Sequence, residues 1–299
     1  LRYLCPYKFL ECKAFSAIGL FFVVTIAIKL LKFIYVTFLR SPVNWEKYGL
    51  RSGGWVIVTG ATDGIGKEFA KQFASKGFNI FLVSRSQTKL DDISKEIRNI
   101  NQSISKAKTE TREFSRLKAA ISEVKSYILI NNVGVANDLP RLFNEEKEEM
   151  IEKLIQINVT GTLEMTKAIL PIFVAQKNGF ILTVGSFAGE FPMPYLQTYG
   201  AAKAFLKMWS LSLNREVSKD GIHVELLNTS FVSTKMSKLK PSFMAPSAKE
   251  YVEHAMKKIG ISSFTTPYWP HAIAYLVSIS VPSCLRTMKR VMKMAAKEK

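Results

Sequence analysis

Histidine and cysteine are scarce in this chain, three of each among 299 residues. Cys5, Cys12 and Cys284 form neither an even framework nor a Cys-x-x-Cys pair. That excludes a disulfide scaffold and a structural zinc site, and it indicates a reducing compartment. The scattered histidines include no His-Glu-x-x-His, so no metal is expected. Acidic residues are few as well, 24 against 42 Lys and Arg, for a formal charge of +18. Such a surplus points to nucleic acid, a membrane surface or an anionic ligand. No zinc finger and no aromatic RNA-binding pattern accompanies it, so nucleic acid is not an expected partner. A Gly-x-Ser-x-Gly hydrolase elbow is missing too, because Val184 and Ala188 stand at the glycine positions around Ser186. Internal repeats are absent.

What the chain does have is apolar material, 47% of its residues, enough to bury the core of one large α/β domain. Residues 14–39 are largely apolar, interrupted by Lys29 and Lys32. As a helix they would be about 39 Å long, against a bilayer core of about 30 Å. The two lysines would have to reach towards an interface. No small-x-small site follows Ile28, which argues against a cleaved signal peptide. The reading is a membrane anchor; the alternative is a helix lying in the interface or packed on the protein. The chain therefore divides into an anchor and linker (1–49), a main domain (50–285) and a basic tail (286–299) with six Lys/Arg and one Glu.

The domain alternates strands and helices. A strand at 55–59 ends in Gly60-Ala-Thr-Asp-Gly64-Ile-Gly66 and a helix. Glycines at such a turn let a pyrophosphate approach the backbone at a helix N-terminus, although a glycine cluster can also be a plain tight turn. The next strand, 79–84, leads into Arg85, at the position that faces the adenosine ribose in a dinucleotide fold. An acidic residue there would bind a free 2′-hydroxyl; Arg suits a 2′-phosphate, or is simply solvated. A weak strand is predicted around 109–114, a buried one at 127–130 before Asn131-Asn-Val-Gly134, and a long helix over 145–170 carrying Asn158. Then come a strand at 180–184, Ser186, a helix from Tyr199 to Val217 and a strand at 223–227. Residues 229–246 carry few helix or strand signals and read as a substrate-covering loop. Ser247-Ala-Lys-Glu250 is a capping box opening a further helix. Residues 271–285 are apolar but too short to span a bilayer. This alternation predicts a doubly wound parallel sheet of Rossmann type behind the anchor helix, with the ligand crevice at the strands' carboxyl ends.

Tyr199 and Lys203, four apart, share one helix face. An ammonium beside a phenol favours the phenolate, lowering its pKa from about 10 and making Tyr199 a candidate proton donor or acceptor. Taken alone, Tyr-x-x-x-Lys is as readily a solvated helix face. Ser186, at a strand end thirteen residues earlier, could polarise a carbonyl facing that pair.

Together these residues resemble the short-chain dehydrogenase/reductase family across roughly residues 50–260. The run Thr59-Gly-Ala-Thr-Asp-Gly-Ile-Gly66 is similar to its cofactor turn and Asn131-Asn-Val-Gly134 to its Asn-Asn-Ala-Gly turn. Asn158, Ser186, Tyr199 and Lys203 match its catalytic tetrad. Within it, the N-terminal anchor, Phe231-Val-Ser-Thr-Lys-Met236 and Thr266-Pro-Tyr-Trp-Pro-His271 most resemble the microsomal very-long-chain 3-oxoacyl-CoA reductases. These are close in turn to the type 3 and 12 17β-hydroxysteroid dehydrogenases. The resemblance implies NADPH as hydride source, Tyr199 as proton donor, Ser186 orienting the carbonyl and Lys203 tuning Tyr199 and holding the nicotinamide ribose. It implies a water on Asn158 relaying protons to Lys203. Cofactor contacts would come from Gly60, Thr62, Asp63, Gly64, Ile65, Gly66, Arg85, Glu113, Asn132, Gly134, Tyr199, Lys203, Val232 and Thr234. Implied partners are acyl-CoA, or a steroid as the second reading, membrane lipid and other elongase subunits (condensing enzyme, dehydratase, enoyl reductase). The implied location is the endoplasmic reticulum membrane with the domain in the cytosol. A catalytically weak scaffold subunit is the reading of another class. Departures from the family pattern are Glu113-Phe-Ser115 for Asp-x-Ser/Thr, a short 115–131 segment, Val133 for Ala, and Asn228-Thr229 without the usual proline.

Overall fold

A computed structural model describes residues 6–39, 43–100, 107–110 and 114–280. Glu113, Cys5, Cys284 and the basic tail lie outside these residues. The chain divides into two compact units, 1–41 and 42–299.

The first unit is helix α1 (Pro6–Ile34) running into a π-helical turn, Tyr35–Leu39. The described part of the helix already covers residues ahead of the apolar run that signals it. Leu20, Phe21, Phe22 and Val23 are successive and all exposed, so apolar side chains face outward all round. Thr25 turns its hydroxyl back onto the Phe21 carbonyl at 2.7 Å, which satisfies one polar group within the helix. Ser16–Leu39 is long and apolar enough to cross a membrane, the one such stretch among the described residues.

The second unit is built on seven parallel strands in the order β3-β2-β1-β4-β5-β6-β7. In chain order its elements are β1 (Trp55–Thr59), α2 (Gly64–Lys76), β2 (Asn79–Val83), α3 (Gln87–Ile100), β3 (Ala107–Glu110), α4 (Phe114–Ser122) and β4 (Ser126–Asn131). There follow α5 (Glu148–Ile155), α6 (Gly161–Ala175), β5 (Gly179–Val184), α7 (Gln197–Val217), β6 (Ile222–Leu227), α8 (Ala248–Met256), the two-residue β7 (Phe264–Thr265) and α9 (Trp269–Ser280). β2 and β5 are buried along their whole length, as strands covered on both faces must be. Alternate residues feed two cores. Val56, Val58, Ile128, Ile130 and Leu182 pack with Phe69 and Phe73 of α2 on one side. Ile57, Phe81, Leu129 and Ile181 pack with Ile169 and Phe173 of α6 on the other.

The strand order reverses between β1 and β4, which makes their carboxyl ends the ligand crevice of such a sheet. Three local readings change. The third strand lies at 107–110 rather than 109–114. The helix expected over 145–170 is two helices, joined by a π-helical turn at Gln156–Thr160 that inserts an extra residue per turn at Asn158. Residues 43–49, read as linker, carry Trp45 and Tyr48 into the core, where Trp45 meets Phe73 edge-on at 5.2 Å.

Candidate active site

The crevice is floored by two turns locked together. Thr59, buried at the end of β1, donates its hydroxyl to the Ile130 carbonyl (3.2 Å) and accepts the N–H groups of Asn132 (3.0 Å) and Val133 (3.1 Å). The Asn132 amide in turn donates to the carbonyls of Thr59 (3.1 Å) and Gly60 (3.2 Å). The Gly60–Gly66 turn is therefore shaped by the turn after β4. Gly60 and Gly64 take left-handed backbone angles, φ 64° and 52°, which an L side chain resists. A Cβ on Gly66 would collide with the Gly60 carbonyl and the Asn132 amide. Asp63 caps α2 by accepting from the Gly64 N–H at 2.8 Å. Thr62 shares a 3.0 Å hydrogen bond with Ser84 at the end of β2, and Ile65 packs on the core. Arg85, the next residue, is exposed and has no hydrogen-bond or ion-pair partner among the described residues.

The loop after β6 comes back over this turn. Val232 is buried in the core beside α2, and the Thr234 methyl would be 3.1 Å from a Cβ on Gly64. Lys235 pairs with Asp63 at 3.1 Å on the surface.

Beyond β5, Gly185 and Phe187 keep pairing with the β6 side through the carbonyls of Leu227 and Thr229, both at 2.9 Å. Ser186 between them is extended and caps a short 3₁₀ turn, Phe187–Gly189, accepting from the Ala188 N–H. That turn lies directly on α7, since a Cβ on Gly189 would sit 2.6 Å from the Lys203 backbone. The contact brings the Ser186 hydroxyl next to the Tyr199 hydroxyl. Lys203 is buried and donates to the Val184 carbonyl at 2.9 Å, with its Nζ 5.9 Å from the Tyr199 ring centre. Burial pulls its pKa down to about 8.

The phenol behaves differently from the expectation drawn from spacing. Burial pushes the Tyr199 pKa up, the neighbouring Ser186 hydroxyl opposing it only in part. The physical reason is that Lys203 spends its hydrogen bond on a backbone carbonyl, while desolvation favours the neutral form of both groups. Tyr199 is thus held protonated, the state a proton donor needs.

Asn158 is fully buried in the π-helical turn. Its side-chain amide accepts from the Val135 N–H and donates to the Val135 carbonyl, both at 2.9 Å, and its own carbonyl accepts from Thr162. Gly134 fits between Asn158 and Lys203, where a Cβ would lie 3.0 Å from Asn158 Oδ1 and 3.7 Å from Lys203 Nζ. The structure thus gathers Asn158, Ser186, Tyr199 and Lys203 around the strand ends and leaves Arg85 at the rim. Residues of the metal-ligating types form no metal-sized cluster among the described residues.

Two supporting carboxylates were invisible to motif reading. Glu146 accepts from Asn137, from Thr198 at 3.1 Å and from Gln197 at 3.4 Å, and so ties the segment after β4 to the first turn of α7, next to Tyr199. Glu190, buried just after the Ser186 turn, takes Lys207 of α7 at 2.6 Å and the Tyr275 hydroxyl of α9 at 2.9 Å.

A profile described as short chain dehydrogenase matches residues 54–244. The chain belongs to the short-chain dehydrogenase family. Among its relatives in the family, a "Very-long-chain 3-oxoacyl-CoA reductase" of Podospora anserina is 41% identical over 87% of this chain and 80% of that one. A Neurospora crassa protein of the same name is 41% identical over 87% of this chain and 82% of its own. A solved short-chain dehydrogenase from Sphingobium yanoikuyae in complex with NADPH superposes with a TM-score of 0.62. It is 29% identical and covers 68% of this chain and 83% of that one. The Gly60–Gly66 turn suits a dinucleotide by its own geometry: it leads straight into a helix N-terminus, and Gly66, where a Cβ would strike the Gly60 carbonyl and the Asn132 amide, lets it pack close against the segment after β4.

Proposed function

We propose that the protein reduces the 3-keto group of a very-long-chain 3-oxoacyl-CoA to the 3-hydroxyl with NADPH, in fatty-acid elongation. The observation that carries this reading is the convergence of Ser186 and Tyr199 with the buried Lys203 beside the glycine turn at the strand ends. Its relatives' names supply the substrate class. The glycine turn at 60–66, Asn132 and Thr234 would hold the cofactor, with Arg85 on its 2′-phosphate. Bound there, NADPH supplies a hydride to the carbonyl carbon.

The remaining work falls to side chains of the chain itself. Ser186 and Tyr199 present two hydroxyls that converge on one another and can take a carbonyl oxygen between them. As charge develops on that oxygen, Tyr199 gives up its proton, so a secondary alcohol forms. Lys203, cationic below about pH 8, stabilises the phenolate left behind. General acid catalysis of this kind is worth about 10²–10⁴-fold. The Ser16–Leu39 helix supports a membrane-bound enzyme, which we place in the endoplasmic reticulum with the domain on the cytosolic side, beside the other elongase subunits.

The test is Tyr199→Phe in detergent-purified protein. Turnover should fall by about 10²-fold or more while NADPH affinity stays within about twofold. Near-normal turnover by the variant would remove Tyr199 from its role; an inactive wild type would favour a scaffold subunit.

A further inference from the structure

Residues 229–246, the loop after β6, present an unusual surface. Phe231, Met236, Leu239, Phe243 and Met244 are all exposed, Phe231 and Phe243 by more than 60%. Exposed Lys235, Lys238 and Lys240 lie among them, and no Asp or Glu occurs between Glu225 and Glu250. Single exposed apolar residues mean little, but five within fourteen residues, interleaved with three lysines and no acid, form a patch.

The patch is built. Ser233 donates its N–H to the Pro246 carbonyl at 2.8 Å, and Ser242 and Ala245 bond each other at 2.9 and 3.0 Å. Ser237 accepts from the Thr234 N–H and donates to the Val232 carbonyl at 2.7 Å. The Tyr268 hydroxyl donates to the Phe243 carbonyl and the His271 ring bonds the Met244 carbonyl, both at 3.1 Å. The backbone of Phe243 and Met244 is thus held inward while their side chains point out. Phe243 rests on one partner, Trp269, edge-on at 5.4 Å. The one surface ion pair here, Lys235 with Asp63, leaves Lys238 and Lys240 uncommitted to any acid among the described residues.

We propose that this loop docks into the surface of an anionic lipid bilayer, with Phe231, Met236, Phe243 and Met244 entering the headgroup–acyl boundary and the lysines meeting lipid phosphates. Apolar tips with a cationic collar and no acid are the chemistry that an interface selects. The root of the loop bonds Phe187, the neighbour of Ser186, through the Thr229 carbonyl. An acyl chain would then pass from lipid to the catalytic hydroxyls without crossing water. This deepens the reading of a membrane-bound reductase and rests on it for its meaning.

The experiment uses the full chain with Cys5, Cys12 and Cys284 changed to Ser and one label site, Phe243→Cys, carrying an environment-sensitive fluorophore. Lys219→Cys, exposed on the turn before β6 and so at the opposite end of that strand from the loop, is the control. The protein is placed in phosphatidylcholine vesicles, with and without about a third phosphatidylserine, each bearing a lipid-borne quencher. The label at 243 should lose emission about twofold or more, and further with phosphatidylserine, while the label at 219 is unchanged. Lys238→Glu with Lys240→Glu should erase the phosphatidylserine increment. A label at 243 that iodide in the water reaches as freely as the one at 219, in both vesicles, overturns the proposal. So does a blue shift in lipid-free amphipol together with doubled particle mass, which would assign the face to a second copy of the chain. Turnover is not read, so the outcome is independent of which carbonyl the enzyme reduces.

Discussion

Lys203→Met should make the fold more stable at pH 7 while stopping the chemistry. In the folded chain the Lys203 ammonium is buried, and its pKa falls from 10.5 to about 8. The unfolded chain therefore binds this proton more tightly between about pH 8 and 10.5, and stability rises with pH across that window. Below pH 8 the full difference of about 2.5 units opposes folding, on the order of 3 kcal/mol at about 1.4 kcal/mol per unit. By pH 10 roughly 1 kcal/mol of it remains. Methionine carries no such penalty but leaves the Val184 carbonyl without its 2.9 Å donor, a loss of about 1–3 kcal/mol that does not vary with pH. The robust quantity is the difference in Tm between variant and wild type, followed from pH 7 to 10 by thermal denaturation without cofactor. It should move against the variant by about 2 kcal/mol, roughly 4–8 °C for a domain of this size. A difference that stays flat, or moves in the variant's favour as pH rises, would show that Lys203 is not strained by burial, and the account of its tuning would fall with it.

Three further substitutions probe the cradle and the scaffold. Arg85→Ala should weaken NADPH by about tenfold to a hundredfold and leave NADH nearly unchanged, by titration of each cofactor; equal loss of both would reduce Arg85 to a solvated side chain. Gly66→Ala forces the turn away from the Gly60 carbonyl and Asn132, so both cofactors should be lost alike, with a lower Tm by calorimetry. Glu146→Gln sets an amide against three donors, and kcat should fall about tenfold with NADPH affinity intact; an unchanged kcat would mean that the first turn of α7 holds Tyr199 unaided.

Much of the site was legible because its parts are local. Trp55–Thr59 is buried on both faces, so it shows as an unbroken apolar run, and the glycines after it are required by two left-handed backbone angles and one close approach. Tyr199 and Lys203 share a helix face by spacing alone. What was hidden depends on distant partners. β3 is an edge strand with the sequence Ala-Lys-Thr-Glu, too polar to announce its register. A π-helical turn has no signature in residue type, so the break at Asn158 was hidden inside a long helical pattern. Glu146 is one acid among several at 145–149, and the residues that single it out, Gln197 and Thr198, come 51 and 52 positions later. The upward shift of Tyr199 follows from burial, which spacing cannot report, and spacing alone favoured the opposite direction.

The most direct test of the assigned chemistry is NADPH oxidation by the purified full chain, offered a long-chain 3-oxoacyl-CoA and a 17-ketosteroid side by side. The account predicts stoichiometric NADPH loss with formation of the 3-hydroxyacyl-CoA, and a higher kcat/KM for the acyl-CoA than for the steroid. Steroid reduction with no turnover of the acyl-CoA would contradict it.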